Sequence, residues 1–209
     1  MTYIRAEKAQ LDAWETLGNR DWTWDTLWPY HLKSEEFETP TQAQVASAGA
    51  SFLNAYHGRD GPVNVAYQYG LQNGSFVCLV NSTWQSLVEG VDWNPDVNGG
   101  SLRGFFVWPK TMVRGEDVRD DAARAYYYPV KGRANLEMVR GRVDRIVWAE
   151  DGGSNEKKVA RGVEYTVDGR TSVLYAKKEV ILSAGSLRSP AILELSGVGN
   201  PEYDSMIFA

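Results

Sequence analysis

The run Glu179-Val180-Ile181-Leu182-Ser183-Ala184-Gly185-Ser186, continuing from Leu187 to Gly199, constrains this chain more than any other stretch. Val180-Ile181-Leu182 is a short continuous apolar run, the pattern of a strand buried on both faces, and it ends in small residues that let another group approach the backbone. Ser189-Pro190 then offers an N-cap and a first-turn proline ahead of Ala191-Ile192-Leu193-Glu194-Leu195, and Gly197 stands where a helix of that length stops. The expected order is strand, glycine turn, short helix, glycine stop. A turn of this kind can hold a phosphate or ribose against free backbone N–H groups, although many α/β proteins build one with no ligand.

Composition sets the outer limits. With 209 residues, 43% hydrophobic and 12% aromatic, the chain can bury one or two cores and reads as globular. A net charge of -5 without a basic cluster argues against a nucleic-acid partner, whose phosphates need a positive face. The lone cysteine, Cys78, can form no intrachain disulfide and is expected to be buried or incidental. No Cys/His grouping has metal-ligand spacing, so no metal is expected. No apolar run approaches the roughly 20 residues of a membrane span, and Met1 to Lys8 lacks the apolar core of a signal peptide. The expectation is a chain that nothing exports as written and that meets no membrane. The sequons Asn73-Gly74-Ser75 and Asn81-Ser82-Thr83 matter only if it is exported.

Along the chain, Leu11, Trp14 and Leu17 have helical spacing ahead of Gly18-Asn19. Trp22, Trp24, Trp28 and Tyr30 form an aromatic cluster, most of whose tryptophans are expected in the core, and Leu32, Glu35, Glu36 and Phe37 can continue a helix. His31 is placed on a polar helix face with Lys33 and Glu35. His57 sits in a dense turn signal, Tyr56 to Pro62, where a structural or solvent role is favoured over catalysis. Val63 to Tyr67 alternates like a half-buried strand, Phe76 to Val91 carries a helical apolar stripe expected to lie against a sheet, Gly104 to Pro109 reads as a strand, and Val118 to Tyr128 as a helix ended by Pro129. Four strand-like runs follow, Leu136–Val139, Val143–Trp148, Val159–Val167 and Thr171–Ala176, with turns at Asp151-Gly152-Gly153-Ser154 and Asp168-Gly169-Arg170. They predict a β-meander beside the strand at Val180.

The string Gly185-Ser186, Ser189-Pro190, Ile192-Leu193 and Ser196-Gly197-Val198-Gly199, at its observed spacing, resembles the second signature of the glucose–methanol–choline (GMC) family of FAD-dependent oxidoreductases. Tyr3, Ala6 and Asp12 resemble the end of that family's first signature, whose asparagine and glycine-rich part would fall before Met1. The His57-Gly58 to Gly61-Pro62 run, Val118 to Ala123 and Ala134 to Met138 are also similar to family stretches, and the whole is most similar to glucose-oxidase-like members. The resemblance ends at Gly199, after which residues 200–209 diverge.

The resemblance implies an α/β fold: part of an FAD-binding doubly wound domain, a β-meander and part of a substrate-binding domain. It divides the chain into an FAD-interface segment (1–47), part of the substrate-binding domain (48–98), a segment of the FAD-binding domain (99–199) and the divergent tail (200–209). It implies FAD as cofactor, a small alcohol or sugar as substrate of the full-length parent, and hydride transfer from a CH–OH group to flavin. Cofactor contacts carried over are Thr2, Val143, Gly185 and Ser186, with Val143 at the adenine through a strand-edge N–H and C=O pair. No G-x-G-x-x-G occurs in the 209 residues and no histidine follows His57, so the family's fingerprint loop and C-terminal base have no counterpart here. The expectation is an internal piece of an enzyme, inactive by itself and poorly soluble through an unpaired sheet edge, or alternatively a remnant or interaction module that binds no FAD.

Overall fold

The computed structural model describes residues 2–68, 75–90, 92–149 and 158–199, which form two units, Met1–Ala134 and Asn135–Ala209. The turn at 151–154, Asn73, the side chain of Cys78 and the tail 200–209 lie outside the described residues.

In the first unit, α1 (Lys8–Thr16) ends at Leu17, and Gly18 follows with φ +97°, a left-handed conformation that glycine adopts at no steric cost. Asp12 Oδ1 on α1 accepts the N–H of Trp24, which opens α2 (Trp24–Ser34), so the two helices are tied at that terminus. Thr23 caps α2 by accepting the Thr26 N–H. The helix stops at Ser34, and Glu35–Phe37 turns into strand β1 rather than continuing it. The cause is tertiary: Glu35 is fully buried and pairs with Arg5, so its carboxylate faces inward rather than along a solvated helix face. His31 likewise leaves the polar face assigned to it and is half-buried against Trp24.

After α3 (Gln42–Ala48), capped by Thr41, strand β2 (Val63–Ala66) pairs parallel with β1, and β3 (Lys110–Val113) and β4 (Val118–Arg119) follow antiparallel in the order β1-β2-β3-β4. Phe37, Ala50, Val65 and Tyr67 form the core on this sheet. The strand expected at 104–109 begins only at Lys110, where pairing with Ala66 starts; before it Phe105 makes a lone bridge to Trp93. The helix expected from Val118 shrinks to a π-turn, Ala123–Tyr127, because Val118 and Arg119 are taken by β4. The apolar stripe of α4 (Ser75–Leu87) forms a helix, yet Phe76, Leu79, Trp84 and Leu87 are exposed rather than laid on a sheet. Of the eight tryptophans, Trp24 falls in the core, while Trp14, Trp22, Trp84 and Trp108 are exposed, in keeping with the large apolar share of any protein surface.

The second unit is a meander of β5 (Arg142–Trp148), β6 (Ala160–Val167) and β7 (Arg170–Tyr175), all antiparallel, with α5 (Arg188–Leu195) packed on β5. Asp168 and Gly169 both have positive φ, +48° and +76°, the backbone of a tight hairpin turn that matches strand twist. Leu136–Val139 forms no strand, and Leu136, Met138 and Val139 are exposed. Val180–Leu182 is also no strand: among the described residues none pairs with it, and Ile181 is 77% exposed. An apolar run becomes a buried strand only where neighbours supply the ladder and cover both faces.

Candidate functional site

Gly185 has φ +90° and nothing within 4 Å of where a Cβ would stand, so the turn ahead of α5 is open. Ser189 does not cap the helix as expected. It lies inside α5, its Oγ accepts the Ala184 N–H at 3.0 Å, and its N–H donates to Gly185 O at 3.0 Å, so the serine braces the turn from within. Pro190 is tolerated in the first turn, where its missing N–H costs no intrahelical bond. Among the described residues, the N–H groups of Gly185, Ser186, Leu187 and Arg188 donate to nothing, and Arg188 makes no ion pair.

The far end of α5 fixes it to the meander. Ser196 Oγ accepts the Ile146 N–H at 2.8 Å and donates to Ile192 O at 2.5 Å, and Trp148 Nε1 donates to Ser196 O at 2.6 Å. Gly197 N donates to Glu194 O and Val198 N to Leu193 O, the paired bonds of a glycine-terminated helix, with Gly197 at φ +73°. Ser196 and Gly197, two fixed positions of the signature, are thereby explained by packing. An open groove of about 450 Å³ runs between the two elements, lined by Val143, Arg142, Arg145 and Arg188 among others. Arg145 is engaged by both oxygens of Glu164 and Arg142 by Asp144, whose carboxyl is held below its usual range by Thr166 and Arg142.

Val143, Gly185 and Ser186 thus belong to one unit, with Val143 on the outer strand of the meander. Thr2 belongs to the other, where it bridges to Lys110 beside the Tyr3 N–H bond to Pro109 O. Arg188 escaped the sequence reading because it fills a variable position of the signature; its place in the first turn of the helix was the available signal. The donor set of an open glycine turn, unpaired N–H groups and an uncommitted guanidinium suits a phosphate or ribose, so these residues fit a dinucleotide cofactor.

The first unit holds a different cluster. Arg5 donates to Glu35 Oε2 at 2.6 Å and to the carbonyls of Tyr56 and Asn98. His57 Nδ1 lies 2.8 Å from Glu35 Oε1 and its Nε2 2.9 Å from Asp96 Oδ2. Burial works against a charged His57 ring, but the hydrogen bonds to Asp96 and Glu35 outweigh it and raise the pKa. Phe37 stacks on the ring at 3.6 Å. With both nitrogens engaged and no face open, His57 is structural.

These features, a glycine turn before a short helix beside a meander, make an α/β segment, and residues 1–204 match the GMC oxidoreductase family model. The chain belongs to the GMC oxidoreductase family. It is 52% identical over 190 residues to a glucose oxidase-like protein of Humicola fuscoatra, covering 90% of this chain and 32% of that protein. It is 36% identical over 202 residues to a glucose oxidase of Aspergillus carbonarius, covering 95% and 32%. Among solved structures, an FAD-dependent oxidoreductase from Chaetomium thermophilum superposes with a TM-score of 0.80 at 32% identity, covering 97% of this chain and 33% of that one. The chain spans about a third of the length of these relatives.

Proposed function

We propose that these residues form part of the flavin-binding portion of an FAD-dependent oxidoreductase that oxidises a CH–OH group of a small alcohol or sugar. Family membership over residues 1–204 is the observation that carries this. When bound, FAD supplies the hydride acceptor. Gly185 and Ser186 offer backbone N–H groups from the open turn, Val143 offers its strand edge to the adenine, and Thr2 offers its hydroxyl; Arg188 adds a positive charge beside the turn.

The 209 residues alone are proposed to lack turnover. Of their two histidines, both in the first unit, His57 is engaged at both ring nitrogens by carboxylates and is not free to take a hydroxyl proton, and His31 is half-buried against Trp24. General-base catalysis contributes about 10²–10⁴-fold. Titration of the purified chain with FAD, followed by quenching of flavin fluorescence, tests the binding half. Saturable uptake that weakens in Gly185→Val, with no alcohol or sugar oxidation, is the expected result. A folded chain that takes up no FAD favours instead a non-catalytic interaction module.

A further inference from the structure

His57 is among the most enclosed polar side chains of the first unit, and its surroundings specify its protonation. A neutral imidazole has one N–H and one lone pair. Here both ring nitrogens face carboxylate oxygens, Glu35 Oε1 at 2.8 Å and Asp96 Oδ2 at 2.9 Å, and a lone pair opposite either oxygen is repelled. Two ionised carboxylates are both satisfied at once only by the imidazolium.

The carboxylates are held from behind by other groups. Glu35 Oε2 accepts from Arg5 and from the Gly58 N–H at 3.1 Å. Asp96 accepts from the N–H groups of Leu53 and Asn98. Two cations and two anions therefore neutralise one another inside, contributed by the N-terminal segment, β1, the turn after Tyr56 and the loop at 92–98. The other titratable groups nearby are Tyr67, whose hydroxyl donates to Ser51 O and whose pKa burial raises, Tyr3 beside Arg5, and His31, whose pKa burial lowers. Arg59 lies over Phe37, the ring stacked on His57. Among the described residues, Asp96 differs from Glu35 in pairing with no cation other than His57.

We propose that His57 is a clasp that stays charged at neutral pH in the folded protein, and that loss of its proton to solvent unfastens Asp96 and the 92–98 loop from β1. The sign follows from linkage. A folded pKa raised above the unfolded one adds stability that is complete below the unfolded value, near 6.5, and is lost as pH rises through the folded value.

Nitrogen NMR of the imidazole rings tests the protonation, since the chain has only two histidines and His31→Gln identifies the other. At about pH 7.5, a unit above an ordinary histidine, His57 is expected to show two protonated nitrogens; one bare nitrogen in a folded chain overturns the proposal. From about pH 6.5 upward, the melting temperature is expected to fall by about 3–5 °C per pH unit until the ring titrates. His57→Gln removes that slope. A wild-type melt that is flat across this range overturns the clasp even if both nitrogens are protonated. If His57→Gln does not fold, the ring spectrum and the wild-type slope decide the matter without it.

Discussion

The two units solve the same problem with opposite means. The first buries charge: Arg5, Glu35, His57 and Asp96 are each less than a tenth exposed and satisfy one another across long stretches of chain. The second keeps its ion pairs, Arg142 with Asp144 and Arg145 with Glu164, at the surface and relies on three antiparallel strands and one helix pinned by Ser196. A buried network has no weak member, because removing one partner strands the rest without water. An exposed pair has water in reserve, so losing it changes little.

The largest effect that follows is in the first unit. Glu35→Ala leaves Arg5 and His57 buried beside an empty place and is expected to cost about 3–5 kcal/mol, read as a drop in the denaturant midpoint. A loss below about 1 kcal/mol would erase the contrast between the units. Ser196→Ala, which orphans the buried N–H of Ile146, is expected to cost the second unit about 1–3 kcal/mol, seen as faster hydrogen exchange at Ile146. Gly169→Ala places a side chain at φ +76° and is expected to cost about 1 kcal/mol in the same unit. Arg145→Ala should leave the midpoint unchanged even though its pair with Glu164 is bidentate. A clear shift there would make the surface pairs more than solvated neighbours.

The same contrast explains what the sequence disclosed. In the second unit, β5, β6 and β7 stand within a residue of where period-2 alternation and Asp168-Gly169 put them, and α5 ends where Gly197 puts it but begins at Arg188, ahead of the expected Ser189 cap. The strands pair with their neighbours in the chain, whereas α5 meets β5 across 50 residues. In the first unit the helices α1 and α4 and strand β2 were legible, whereas the extent of α2 and the network were not. Glu35 read as one more charged residue on a helix, and nothing singled out Asp96. Nothing local marks either, since their partners lie 30 and 39 residues away, and Asn98 meets Arg5 across 93. The flavin-facing candidates show a mixture. Gly185 was marked by its type, because an open turn at positive φ requires glycine, whereas Arg188 gained its interest only once α5 lay along β5.

The sequence by itself determined family membership, the meander, and the short helix with its glycine stop, because backbone conformation and alternation are energies of adjacent residues. Tertiary structure alone decided that Glu35, His57 and Asp96 are interior, and that Ile181 in an apolar run is exposed. Burial is a sum over whatever surrounds a group: a charge goes inside only when opposite charges and N–H donors meet it there, and an apolar strand goes inside only when other strands flank it.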